Sequence, residues 1–174
     1  MHDAPPPSAT KPRVPARASA KVSTLPISRP RIPPPAPDSA HTQAVMKGNK
    51  GRDTSPEMAV RSRLHAMGLR FRKNARPLRG LRCTADIVFP KERVAVFIDG
   101  CFWHSCPQHG RIPRKNSDFW SEKLARNTAR DVRNSTALRE AGWVVLRYWE
   151  HEQWDEVAGA VRRKVLEQRR LLFR

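Results

Sequence analysis

Cys101, Cys106 and His109 are separated by four and then two residues, and His151 lies far downstream. Two thiolates and two imidazoles are a tetrahedral zinc set, and four protein ligands leave no open position, so such a site is structural. His104 is the alternative fourth ligand in place of His151. Loop thiols and surface histidines without a metal are the plain alternative. Cys83 belongs to no such pattern and reads as a small core residue.

A second chemistry lies beside the first. Asp86 interrupts an apolar run, Thr84-Ala-Asp-Ile-Val-Phe89. A carboxylate there is expensive unless a cation accompanies it. Mg²⁺ is bound through carboxylates, carbonyls, waters and phosphate oxygens, so Asp86 and the backbone carbonyl of Ile98 are its candidate ligands. Such an ion activates water and stabilises the leaving oxygen in phosphodiester hydrolysis. His104, outside the zinc set, can take the proton of the attacking water. Phe102-Trp103 reads as a wedge for unstacking bases, or as a lid on the core beneath the loop. Further on, Lys123, Arg126, Asn127, Arg130, Asp131 and Arg133 make a polar, mainly basic face. Asn127 and Asp131, four apart, share one side of a helix. A charged helix face is otherwise simply solvated.

These residues need a frame. Thr54-Ser-Pro-Glu57 is a capping box, with Thr54 accepting from the Glu57 amide and Glu57 reaching back to the Thr54 amide. Glu57 is therefore either a cap or a carboxylate that steadies a water of the metal. Val60, Leu64 and Met67 continue a helix that Gly68 closes. Leu69–Lys73 alternates as a short strand. Arg76, Arg79 and Arg82 lie in a basic loop. Residues 84–89 and 94–98 form strands joined by a Pro90–Arg93 hairpin turn, the second a central strand covered on both faces. Asp118 caps a helix that runs to Glu140 and stops at Gly142. Trp143–Tyr148 is a third buried strand. Val157, Val161 and Val165 mark a last helix. The order predicts an α/β mixed sheet with helices on both faces.

The whole chain sets outer limits. It has 174 residues and a formal net charge of +18. Such a field attracts polyanions, nucleic acid first. No apolar run is long enough for a spanning helix, and no secretory signal pattern opens the chain. A cytoplasmic protein without membrane attachment is expected. Residues 1–45 hold 11 of the 16 prolines, a composition that cannot bury a core and predicts a disordered tail. Six Lys or Arg against two Asp there leave +14 on residues 46–174. The basicity belongs to the folded domain.

Taken together, these residues resemble the very short patch repair (Vsr) DNA mismatch endonucleases. The resemblance rests on Gly51-Arg-Asp-Thr-Ser-Pro-Glu57, Thr84–Phe89 and Phe97-Ile-Asp-Gly-Cys-Phe-Trp-His104. It continues through Phe119-Trp120-x-x-Lys123, Asn127-x-x-Arg130-Asp131, and Gly142–Val145 to Trp149-Glu150. It implies a restriction-endonuclease-like fold of the PD-(D/E)XK type, with a mixed central sheet flanked by helices and a structural zinc site. It implies Mg²⁺-dependent nicking 5′ to the thymine of a T·G mismatch made by deamination of 5-methylcytosine. The partner is then double-stranded DNA bound by a monomer, with mismatch-repair proteins as further candidate partners.

By position the resemblance makes Asp86 the metal-binding aspartate, His104 the catalytic histidine and Glu57 the helix-start glutamate. Phe102 and Trp103 match the intercalating wedge, and Met46 a methionine entering from the other groove. Lys123, Asn127, Arg130 and Asp131 join the DNA-facing set. Cys101, Cys106, His109 and His151 match the zinc positions, with His for Cys at two of them. The family pattern has Thr-His where this chain has Ile98-Asp99, so Asp99 is expected to add a second carboxylate to the metal. A restriction-like nuclease without mismatch preference, and a zinc-supported DNA-binding module without catalysis, remain the alternatives.

Overall fold

The computed structural model describes residues 51–172. Four strands form one sheet in the order β1 (Arg72–Ala75), β2 (Ala85–Phe89), β3 (Val94–Asp99), β4 (Val144–Trp149). The first two junctions are antiparallel, with Ile87 opposite Val96 and Phe89 opposite Val94 across β2 and β3. The third, β3 to β4, is parallel. A parallel pair needs a crossover, and the helix α2 (Ser117–Glu140) supplies it. With α1 (Ser55–Ala66) and α3 (Trp154–Leu172), the described residues form a mixed α/β domain. No helix among them is long and apolar enough to cross a membrane.

The sheet's two cores explain its strand sequences. On one side Val60 and Leu64 of α1 and Val157, Val161 and Val165 of α3 pack on Ile87, Phe89, Val94 and Val96. On the other, Leu138 of α2 packs with Cys83, Val88, Ala95 and Phe97. β3 is thus apolar nearly throughout because it lies between two strands and under helices on both faces. Cys83 is a core residue, as its lack of a ligand pattern suggested.

Four local expectations are corrected. β1 begins at Arg72, not Leu69. Leu69 is spent closing α1: its amide reaches the Leu64 carbonyl, that of left-handed Gly68 reaches His65, and the Leu69 side chain is buried. That is a Schellman end, which fixes the residue after the glycine. The capping box is also displaced. Glu57 accepts from the Asp53 amide and the Thr54 hydroxyl, and the Thr54 side chain makes no bond to a helix amide. The second helix is entered through left-handed Asn116, with Asp118 inside its first turn. β4 is an edge strand, half-buried along its whole length rather than fully buried. The expected boundary at residue 45/46 lies outside the described residues.

Candidate functional site

The sheet delivers Asp86 and Asp99 to one cleft of about 610 Å³, which Glu57, Ile98, His104 and Asp131 also line. Asp86 is held by the strand pairing itself: the Ile98 amide donates to its Oδ2 at 2.7 Å. Ile98, expected to offer a carbonyl to a metal, thus first contributes its N–H to the expected ligand. Burial pushes the Asp86 carboxyl up to about 6; the Ile98 hydrogen bond opposes this, and the negative charge of Glu57 adds to it. Glu57 is itself ion-paired with Arg61 at 2.8 Å, and Arg61 also meets Asp53. The capping and site readings of Glu57 are therefore not exclusive. One carboxylate closes the α1 start and stands at the cleft wall.

Across the cleft the acids have partners. His104 Nδ1 lies 2.6 Å from Asp131 Oδ2 and 3.6 Å from Asp99 Oδ1. Burial works to raise the Asp131 carboxyl, but the hydrogen bond with His104 and the charges of His104, Arg147 and Arg130 outweigh it and hold it low. Asp99 gives both oxygens to Arg147, which donates from Nε at 2.7 Å and Nη2 at 2.6 Å. A charged residue in a strand is tolerated when paired in this forked geometry.

The zinc candidates also meet. The ligand atoms of Cys101, Cys106, His109 and His151 all lie within 4.8 Å of one another. Both thiols are buried and both imidazoles exposed. Cys101 Sγ is 3.1 Å from His151 Nδ1 and 3.9 Å from His109 Nδ1, and Cys106 Sγ is 3.9 Å from each imidazole. The two Nδ1 atoms are 3.2 Å apart. Zn–S bonds of about 2.3 Å and Zn–N bonds of about 2.0–2.1 Å at tetrahedral angles place S and N about 3.6 Å apart, and N and N about 3.3 Å apart. The set has the size and chemistry for one ion. The thiols differ: burial, the Cys106 thiol and Glu150 push Cys101 up to about 12, whereas burial of Cys106 is outweighed by the amides of His109, Gln108 and Gly110. The turn that brings those amides round needs Gly110. A Cβ there would stand 2.6 Å from the Cys106 carbonyl oxygen.

A family model for the DNA mismatch endonuclease Vsr matches residues 37–108. The type II nicking enzyme V.NaeI of Lentzea aerocolonigenes is 48% identical over 129 residues, which cover 73% of this chain and 78% of that protein. The chain belongs to the Vsr family. The type II nicking enzyme V.XorIIP of Xanthomonas oryzae is 43% identical over 113 residues (64% of this chain, 80% of the relative). The DNA mismatch endonuclease Vsr of Escherichia coli strain K12 is 36% identical over 114 residues (65% and 71%).

In this Vsr-family chain, Trp103 and Arg130 also line the cleft, while Phe102, Lys123 and Asn127 contact Trp103. Phe102 and Trp103 are half-buried, packed edge-on to one another and against Trp120 of α2. Lys123 lies over Trp103 and Trp120 at 5.2 and 5.0 Å, a cation–π stack. Asn127 donates to the Trp103 carbonyl at 3.1 Å. Asn127 and Asp131 thus share one helix side, as their spacing implied, and both are used to hold the 102–104 loop. Arg130 is exposed at the cleft rim. Met46 lies outside the described residues. Two participants went unmarked in the sequence. Arg147 stands in an otherwise apolar strand, as Asp86 does, and the same logic applied to both would have found it. Arg61 sits four residues after Glu57 on one helix face. Glu150, part of the Trp149-Glu150 element of the resemblance but given no role there, accepts from the Cys101 amide at 2.7 Å.

Proposed function

We propose that this chain is a DNA endonuclease that nicks one strand 5′ to the T of a T·G mismatch left by deamination of 5-methylcytosine, by Mg²⁺-dependent phosphodiester hydrolysis. The observation that carries the reading is one cleft with an acid lacking a cation, Asp86, opposite a histidine aligned by an acid, His104 with Asp131. The family membership supports DNA as substrate. The names of the nicking relatives support cleavage of a single strand.

The donor set fits a magnesium ion. A desolvated carboxylate raised to about 6 gains most from a cation, and Glu57 adds negative potential beside it. Asp86, with the Ile98 carbonyl, would hold the ion, which when bound supplies charge for the phosphate and acidity for water. The chain's own groups do the rest. Asp131 engages Nδ1 of His104, which leaves Nε2 to accept the proton of the attacking water. Glu57 orients water at the cleft wall. Lys123 and Arg130 meet phosphates, while Phe102 and Trp103 enter the base stack, braced by Asn127 and Trp120. Apolar wedges of this kind unstack base steps and bend the duplex, and a weakened T·G step yields to them most readily.

The Cys101, Cys106, His109 and His151 set would hold structural zinc and tie the wedge loop to the end of β4. The proposal includes a PD-(D/E)XK-type fold, a domain spanning residues 46–174 after a disordered tail, and Met46 as a contact from the second groove. It also includes action as a cytoplasmic monomer, with mismatch-repair proteins as candidate partners. The test is a duplex panel with Mg²⁺, comparing T·G with T·A, for wild type and Asp86→Ala. Selective nicking of T·G that Asp86→Ala abolishes supports the reading. Equal cutting of both duplexes replaces it with a restriction-like nuclease. No cutting of any duplex replaces it with a DNA-binding module.

A further inference from the structure

Arg147 is the residue at the cleft whose every polar group is turned inward. Its Nε and Nη2 grip both oxygens of Asp99. Its Nη1 donates to the Ser135 hydroxyl at 3.3 Å. Nη2 also lies 3.5 Å from Asp131 Oδ2, the oxygen that meets His104. The guanidinium plane is stacked over the Phe97 ring at 4.9 Å. Arg stays charged at any working pH, and its fork matches a carboxylate in two parallel hydrogen bonds. Asp99 is 6% exposed, so little water competes for it.

We infer that Arg147 is a positioning residue that withholds Asp99 from the catalytic cation and fixes the Asp131–His104 pair. The inference rests on the proposed nuclease reading and narrows it. Asp99 follows Ile98 at the end of β3, where its charge could serve as a second metal carboxylate. An oxygen committed to a guanidinium fork is not presented to a metal, and moving it would strip half-buried Arg147 of its forked pair, leaving only Ser135 and the longer contact to Asp131. Of the four acids that face one another across the cleft, Asp86 is then the one whose carboxylate meets no guanidinium, since Glu57 has Arg61, Asp99 has Arg147 and Asp131 has Arg130. The same guanidinium touches Asp99 and Asp131, the two acids that face Nδ1 of His104. It holds them apart and in register, so the ring keeps one orientation.

The experiment reads Mn²⁺ binding, by water-proton relaxation, and single-turnover nicking on the zinc-loaded full chain. Asp86→Asn first identifies the site, because the Mn²⁺ signal assigned to the cleft must disappear with it. Asp99→Asn is expected to keep the wild-type Mn²⁺ affinity within about twofold. Arg147→Met is expected to shift the two readouts in opposite directions. Mn²⁺ binding tightens by about fivefold or more as Asp99 is released to the cation, while nicking slows by about tenfold or more with DNA affinity unchanged. Arg147→Lys keeps the charge without the fork, and recovers the wild-type Mn²⁺ affinity better than the nicking rate. A loss of Mn²⁺ affinity of about tenfold or more in Asp99→Asn makes Asp99 a ligand and overturns the inference. So does an Arg147→Met chain that loses Mn²⁺ and nicking together. If Arg147→Met fails to fold, Asp99→Asn decides alone. A wild type that nicks no duplex removes the proposed function, yet the Mn²⁺ comparison still decides what Arg147 does.

Discussion

The two walls of the cleft hold acids of opposite standing. On the β2 wall the Asp86 carboxylate accepts from a backbone amide and from no cation, Arg61 reaching only its backbone carbonyl, and the carboxyl rises to about 6. On the α2 and β4 wall Asp131 and Asp99 sit against His104 and Arg147, and Asp131 is held below its ordinary value. All three are removed from bulk water to some degree. Burial and company both separate them: burial pushes Asp86 up, whereas charged and hydrogen-bonding partners outweigh it at Asp131. A buried acid left without a partner in an otherwise well-paired site marks where a cation from outside belongs. A buried acid with a partner marks where the protein has already chosen the orientation of a side chain.

Removing one wall at a time tests this contrast. Asp86→Ala should cost the most, about 10³-fold or more in single-turnover nicking, because cation placement goes with it. Wild-type-like nicking by that variant would end the contrast. His104→Ala should cost about 10²–10⁴-fold, the usual span for a general base. Asp131→Asn should cost less, since Nε2 survives and only the alignment at Nδ1 weakens. An Asp131→Asn loss as large as that of His104→Ala would make the acid more than an aligner.

The Cys and His cluster lies outside the two walls, and the zinc proposed for it would fix the loop between them. Cys106→Ser should release the metal, measured as zinc per chain, and lower the melting temperature by several degrees. Zinc retained at one per chain in that variant would exclude Cys106 from the set. The smallest effect is on stability. With its folded value at about 6 against 3.8 for an ordinary aspartate, Asp86 is favoured protonated in the fold. The metal-free protein therefore loses stability as pH rises from about 4 to 6, and stays lower above that. Asp86→Asn should remove this loss and raise metal-free stability above pH 6 by on the order of 1–3 kcal/mol. Denaturant unfolding at pH 4 and 7 measures it, and an unchanged difference between the two pH values would show that Asp86 is already compensated.

How far the sequence exposed this site depended on the kind of signal each residue carried. The Cys and His residues were legible because their chemistry is rare and their spacing short. Asp86 was legible because a charge inside an apolar strand demands a reason. His104 and His151 could be exchanged as the fourth ligand on spacing alone. The fold separates them, since β4 ends beside the loop and carries His151 to the thiols while α2 carries Asp131 to His104. The helices and the mixed sheet followed from periodicity. The strand start at Arg72 did not, because the closure of α1 consumes Leu69. Asn127 and Asp131 share one helix side that could reach a phosphate or the active site, and their side chains turn to the Trp103 carbonyl and to His104. Which of several polar groups on one helix face meets solvent is decided by the loop packed over it, and periodicity does not encode that loop.

The most direct measurement is the Mg²⁺ requirement for nicking a T·G duplex as a function of pH, for wild type and Asp86→Asn. The apparent affinity for Mg²⁺ should fall about tenfold per unit as pH drops below about 6, as protons compete for the Asp86 carboxylate, and Asp86→Asn should not nick at any Mg²⁺ concentration. A Mg²⁺ requirement that ignores pH across that range, or nicking by Asp86→Asn at the wild-type rate, would contradict the account.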